Sequence, residues 1–99
     1  MKEITTKELA RKLKDGEKLN MVDVREDEEI AHGKIPGAYH IPLGELSDRL
    51  NELNKYKQYY MICRSGGRSG KACTFLNEQG YDVINMVGGM LDWEDKVEK

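Results

Sequence analysis

Cys63-Arg64-Ser65-Gly66-Gly67-Arg68-Ser69 brings together a nucleophile, two cations and two adjacent glycines within seven positions. A cysteine reacts as the thiolate, and a free side chain with a pKa of about 8.5 is mostly protonated at neutral pH. The glycines let successive backbone amides turn to one side and form a concave nest for an anion. A helix that begins inside such a loop points its positive end into the same cup. That terminus is worth roughly 0.3 to 1 kcal/mol, up to about 2 when partly buried. Arg64 or Arg68 adds a comparable amount, and about 1.4 kcal/mol moves a pKa by one unit. A depressed Cys63 pKa is therefore expected. A cysteine alone at a strand end reads as a small buried hydrophobe, but a structural turn has little use for two glycines, two serines and two arginines directly after it.

The elements around this loop must present it. Tyr59-Tyr60-Met61-Ile62 is a continuous apolar run, as in a central parallel strand covered on both faces, and it ends at Cys63. After the loop, Ala72, Phe75, Leu76 and Gln79 mark a helix that stops at Gly80. Upstream, Thr5 and Glu8 have capping-box spacing, and Leu9 and Leu13 share one face of a helix ending near Lys14. Leu19 to Val24 reads as a buried strand, Glu26 to His32 as a brief helix closed by Gly33, and Tyr39 to Pro42 as a second short extended piece. Leu43, Leu46, Leu50 and Leu53 give one or two amphipathic helical segments; Val83 to Val87 is the last strand, and Gly88-Gly89 opens a final short helix through Trp93. Strands and helices alternate throughout, which predicts an α/β fold: an open, mainly parallel β-sheet flanked by helices on both sides. In such sheets ligands bind beyond the carboxyl ends of the strands, where Cys63 falls.

The bulk properties exclude much else. A length of 99 residues suits a single domain spanning 1–99, and 38% apolar with 34% charged residues suits a folded, water-exposed chain. Sixteen basic residues against 18 acids, net charge −2, give no broad reason to expect nucleic acid or an anionic membrane as partner. The apolar runs are short and Met1 to Thr6 lacks the core of a secretory signal, so a cytoplasmic location is expected. In that compartment Cys63 and Cys73 remain free thiols. Two cysteines are too few for a zinc site, and neither His32 nor His40 sits at ligand spacing from them. No metal or cofactor is expected.

Nearly the whole chain resembles a rhodanese-homology domain. Met21-Val22-Asp23-Val24-Arg25 is similar to that family's Asp-x-Arg strand end, and Gly33-Lys34-Ile35-Pro36-Gly37-Ala38 to its Gly-His-Ile-Pro-Gly-Ala turn. Gly88-Gly89-Met90-Leu91-Asp92-Trp93 resembles its closing Gly-Gly-x-x-x-Trp, and Cys63 to Arg68 its six-residue catalytic loop. Lys34 stands where the family often has histidine, and His40 where it often has asparagine. The resemblance implies a thiosulfate-type sulfurtransferase. Cys63 would take the outer sulfur of thiosulfate or another sulfane donor as a persulfide, and cyanide or a thiol, including a protein thiol, would accept it. Arg64, Ser65, Gly66, Gly67, Arg68 and Ser69 would bind the donor and the persulfide, while Asp23 and Arg25 brace the surrounding loops. The expected state is a monomer or weak dimer.

Two alternatives are weighed beside this. A cysteine phosphatase or arsenate reductase also sets a thiolate in an anion-binding loop, but phosphatase-type loops place the arginine six positions after the cysteine, whereas Arg68 is five after Cys63. A persulfide-carrying or regulatory binding module would share the loop and show little thiosulfate activity. Cys73, on the helix after the loop, is expected to be a structural thiol. His32 and His40 receive no role, Trp93 and Tyr39 are core or pocket-border aromatics, and Glu26 to Glu29 is a solvated helix start whose charges suit the helix dipole.

Overall fold

Five parallel strands form one sheet in the order β1-β5-β4-β2-β3. The computed structural model describes Met1–Lys99 throughout. Along the chain come β1 (Lys2–Thr5), α1 (Thr6–Lys14), β2 (Asn20–Asp23), α2 (Asp27–Ala31), β3 (Tyr39–His40), a 3₁₀ segment (Leu43–Glu52), β4 (Gln58–Ile62), α3 (Gly67–Glu78), β5 (Asp82–Val87) and a short 3₁₀ turn (Gly89–Asp92). β4 lies in the middle of the sheet, between β2 and β5. Its alternate residues feed two cores: Tyr59 and Met61 join Val22, Leu46, Ala72, Cys73, Leu76 and Val83 on one face. Tyr60 and Ile62 join Ile4, Leu9, Met21, Ile35 and Met86 on the other. A strand sealed on both faces needs no polar residue, and that is why its sequence is apolar without a period.

The expected open parallel sheet with flanking helices is the observed fold, but its edge holds a strand that the sequence did not announce. β1 pairs with β5 from Lys2↔Ile84 to Thr5↔Val87. Only Ile4 of its four residues is buried. The ladder to β5, a tertiary partner, holds this segment extended, and one apolar residue among polar ones leaves no periodic signal. Thr5 then serves twice, ending β1 and accepting from the Glu8 amide while Glu8 accepts from the Thr5 amide, the anticipated capping box.

The Leu43–Glu52 stretch is 3₁₀ and broken at Arg49, whose φ of −120° is not helical. β3 is only two residues long, shorter than the Tyr39–Pro42 expectation, because a single edge pairing with β2 carries it. No helix is long and apolar enough to cross a membrane.

Candidate active site

β4 delivers Cys63 to the carboxyl edge of the sheet, and the chain curls at once into a cup rather than continuing extended. Gly66, with φ +99°, supplies the left-handed turn that ends the loop and caps α3. Its amide donates to Cys63 Sγ at 2.9 Å, and the Ser69 hydroxyl lies 3.2 Å from the same sulfur. Arg64, Ser65 and Gly67 are exposed while Ser69 is buried, so the rim is wet and the floor is dry. Cys63 is only 1% exposed, which leaves the mouth of the loop as the approach to its sulfur.

Burial disfavours a charged sulfur, and here it is the largest single influence on the Cys63 thiol. The Ser69 hydroxyl and the amides of Ser69, Gly66 and Ser65 together outweigh it and hold the pKa below that of an ordinary cysteine. The expected contribution from the arginines needs correcting. Arg68 turns away and forms a two-pronged ion pair with Glu29 of α2, at 2.6 and 2.7 Å. Glu29 is pulled down to about 2, chiefly by that bond. The Arg68 charge is thus largely matched by Glu29, and the hydrogen-bond donors at the sulfur lower its pKa more than either arginine does. The Glu26–Glu29 stretch is correspondingly more than a solvated helix start. Arg64 forms no ion pair and stays exposed at the rim.

The cup is fixed from behind by the last 3₁₀ turn. The Met90 and Leu91 amides donate to the carbonyls of Cys63 and Arg64, each at 2.9 Å. For that approach Gly89 must lack a side chain: a Cβ there would lie 2.4 Å from the Arg64 carbonyl carbon and 2.6 Å from the Cys63 oxygen. The Gly88-Gly89 pair therefore has a positional reason, to let the loop carbonyls dock outward so that the loop's amides face in. Asn85 of β5 adds a second anchor. Its Nδ2 donates to the Gly66 carbonyl at 3.2 Å, and its Oδ1 accepts from Ser69 at 2.5 Å.

Asp23 and Arg25 sit at the neighbouring strand end, and their side chains bond to each other and to Gly33, not to the sulfur cup. Arg25 Nε and Nη2 grip the fully buried Asp23 carboxylate at 2.9 to 3.1 Å, and Nη2 also donates to the Gly33 carbonyl at 2.8 Å. His40 Nε2 lies 2.6 Å from the Arg25 carbonyl; a carbonyl only accepts, so Nε2 carries the hydrogen. Through Gly33 this pair fixes the end of α2, the helix that carries Glu29. Lys34 closes the neighbouring turn, donating to Ala38 O at 3.0 Å and pairing with Glu98 at 2.8 Å. Cys73 is completely buried, and desolvation pushes its thiol up to about 12, which makes it inert. Trp93 packs half-buried against the second core and Tyr39 is exposed, bonded to Glu52.

Sequence reasoning missed Asn85 and Glu29. Asn85 did leave a trace, as the lone polar residue inside Val83-Ile84-Asn85-Met86-Val87. Nothing set Glu29 apart from the acids around it. A cleft of about 390 Å³ lined by Thr6, Lys7, Arg11, Lys14, Asp92 and Asp95 includes no residue of the sulfur loop and no cysteine.

A parallel α/β sheet with a cysteine cradled by backbone amides at the carboxyl end of its central strand forms a cup around a single thiol whose pKa is lowered. The chain belongs to the rhodanese-like domain family, which it matches over residues 5–96. It is 48% identical over 94 residues to YtwF of Bacillus subtilis, provisionally named a sulfurtransferase, covering 95% of this chain and 91% of that one. A protein of Allochromatium vinosum named sulfurtransferase is 40% identical over 92 residues, with 92% and 86% covered. The crystal structure of a rhodanese-like domain protein from Staphylococcus aureus superposes with a TM-score of 0.94 at 45% identity, over 99% of this chain and 97% of that one.

Proposed function

We propose that the protein is a sulfurtransferase working through a Cys63 persulfide, with thiosulfate or a related sulfane compound as donor. The Cys63 thiolate attacks the outer sulfur of thiosulfate, a new S–S bond forms, and the old one breaks with its electron pair leaving on sulfite. The charge now sits on the outer sulfur of Cys63–S–S⁻. Cyanide or a thiolate, free or on a protein, attacks that sulfur and takes it as thiocyanate or a new persulfide, returning the Cys63 thiolate. Each half-reaction conserves charge and needs no added oxidant or cofactor. The rim guanidinium of Arg64, free of any partner, meets the oxyanion end of the donor, while inward amides of the loop take the outer sulfur. Cytoplasmic conditions, which keep thiols reduced, fit two cysteines that are both free.

The observation that supports this most strongly is the convergence of the Gly66 amide and the Ser69 hydroxyl on one sulfur, at 2.9 and 3.2 Å. Such donors serve an anion at that point and have no equivalent use around a merely packed thiol. The names borne by the relatives point the same way. The test is intact-protein mass spectrometry after thiosulfate treatment. A one-sulfur adduct at Cys63, removed by cyanide or reductant and absent from Cys63→Ser, is the expected result. No adduct from thiosulfate or from a small persulfide donor overturns the proposal. Loading only from a partner protein's persulfide would instead make the chain a carrier.

A further inference from the structure

Ser69 has one hydroxyl hydrogen and two acceptors competing for it. Cys63 Sγ lies 3.2 Å from Oγ, and Asn85 Oδ1 lies 2.5 Å away on the other side. The Asn85 amide cannot turn to offer its own hydrogens, because its Nδ2 is committed to the Gly66 carbonyl at 3.2 Å. That carbonyl also takes the first helical hydrogen bond of α3, from the Gly70 amide at 3.0 Å. Oδ1 is therefore fixed as an acceptor, and every partner in this triad is buried: Ser69 at 0%, Cys63 at 1% and Asn85 at 5% exposure. No water molecule can stand in cheaply for a missing donor here.

We propose that Asn85 is a positioning residue that sets the strength of the Ser69 hydrogen bond to the Cys63 sulfur by competing for the single hydroxyl hydrogen. When the sulfur is a neutral thiol, the hydrogen lies on Asn85 Oδ1 and the S–H can donate to the vacated side of Oγ. When it is a thiolate, the hydrogen turns to Sγ, and Oγ and Oδ1, now two bare acceptors, must separate. In the persulfide the inner sulfur is neutral again and the hydrogen returns to Asn85. Asn85 thus works against the resting thiolate and in favour of the loaded state, which keeps the cysteine from being over-stabilised as an anion too unreactive to attack. This rests on Cys63 being the nucleophile of the proposed sulfur transfer, but the competition itself exists whatever the donor.

The other groups that face Cys63 do not blur the test. Arg68, in the first turn of α3, is held by Glu29 of α2, and Cys73 of α3 stays protonated at any working pH. No titratable side chain of β5 reaches the sulfur, and the neighbouring Asp23 on β2 is bound by Arg25.

The experiment is the pH profile of Cys63 alkylation by iodoacetamide, read by mass spectrometry in the whole protein. Asn85→Ala and Asn85→Val remove the competitor, the second with a side chain suited to a strand. The apparent pKa is expected to fall by about 0.5 to 1 unit, seen as roughly three- to tenfold faster labelling well below that pKa. The near-isosteric Asn85→Asp keeps an acceptor against Ser69 while adding negative charge, and it should move the pKa upward. In a Ser69→Ala background the effects of the alanine and valine variants should vanish. If Asn85 only holds the loop together, the alanine and valine variants loosen the cup and raise the pKa with or without Ser69, and that result overturns the proposal. A downward shift of equal size in the Ser69→Ala background does so too. An Asn85→Asp protein with an unchanged or lower pKa also counts against it, even if the other variants do not fold. Because alkylation uses no sulfur donor, a failure here is distinct from a failure to form the persulfide.

Discussion

Gly89→Ala is the most searching perturbation of the cup, because its nearest contacts are backbone atoms of Cys63 and Arg64 and none of the groups that donate to the sulfur. The backbone φ of Gly89 is +58°, where an added Cβ costs about 1 to 2 kcal/mol on its own account. That Cβ would stand 2.4 Å from Arg64 C and O and 2.6 Å from Cys63 O, against 3.4 Å or more for ordinary contact. All three are backbone atoms, so no side chain can swing aside, and the loop must retreat by about 1 Å. The retreat stretches the Met90→Cys63 and Leu91→Arg64 hydrogen bonds, now 2.9 Å each, and losing them costs roughly 0.5 to 1.5 kcal/mol apiece. A destabilisation of about 2 to 5 kcal/mol follows, which for a domain of this size lowers Tm by about 8 to 40 °C. Should the variant fold at low temperature, the displaced amides no longer meet at the sulfur, and a misplacement of about 1 Å is worth on the order of a hundredfold in rate. Thermal unfolding followed by circular dichroism reads the first effect, and the initial rate of thiosulfate-dependent persulfide formation reads the second. A Gly89→Ala protein within 3 °C and threefold of the parent, both approximate margins on the scale just derived, would show that the last turn does not shape the cup.

Glu29→Gln should cost about 0.5 to 1 kcal/mol at pH 7, since the pair with Arg68 is partly exposed and screened. Because the folded pKa of Glu29 is lowered to about 2, its stabilisation is fully present above the ordinary carboxylate range and fades as pH falls toward 2. The gap in urea midpoint between parent and variant should therefore narrow from about pH 5 downward and close only below about pH 2, and a gap of constant size from pH 7 to pH 2 would refute the pairing. Cys73, buried and held up to about 12, should stay unlabelled when the native protein meets iodoacetamide at about pH 7.5, so that one adduct forms, at Cys63; double labelling before unfolding would contradict the packing. Asp23→Asn leaves the buried Arg25 charge without its counter-ion and should destabilise by about 3 to 5 kcal/mol in urea titration, with a loss under about 1 kcal/mol showing that the pair is dispensable.

What the sequence revealed and what it hid divide along a physical line. The apolar run of β4, the capping box at Thr5 and the glycines of the cup are local features, written in residue type and spacing over a few positions. They placed Cys63 at a strand end before a helix, and the structure puts it there. β1 was hidden because its extended form comes from pairing with β5, some eighty residues away, and not from its own four residues. The Arg68–Glu29 bond spans 39 positions and the Asn85–Ser69 bond 16. Charge and polarity at either end were visible, yet which ends meet depends on how α2 and β5 lie against the loop. Asn85 was the more recoverable of the two, since a polar residue inside a buried strand must find a partner, whereas an acid in an acidic surface helix need not.

That pairing changes the account of how the thiol is activated. From sequence, a helix terminus and one of the two arginines are expected to contribute comparably to ionisation, and the arginine's share falls off with ionic strength. In the folded protein Arg68 is neutralised by Glu29 and Arg64 points to solvent, so the sulfur meets fixed dipoles at contact distance instead. Dipoles that are already oriented need not reorganise when charge moves from the inner sulfur to the outer one; they only have to lie along the path, and a ring of amides opening toward the rim does so. On the proposed route, an unmatched guanidinium beside Sγ would favour the thiolate over the persulfide, whose charge lies one bond length further out, and so would hinder loading of the sulfur. Holding Arg68 aside with Glu29 leaves the balance between the two states to the amides, to Ser69 and to the residue behind it, Asn85.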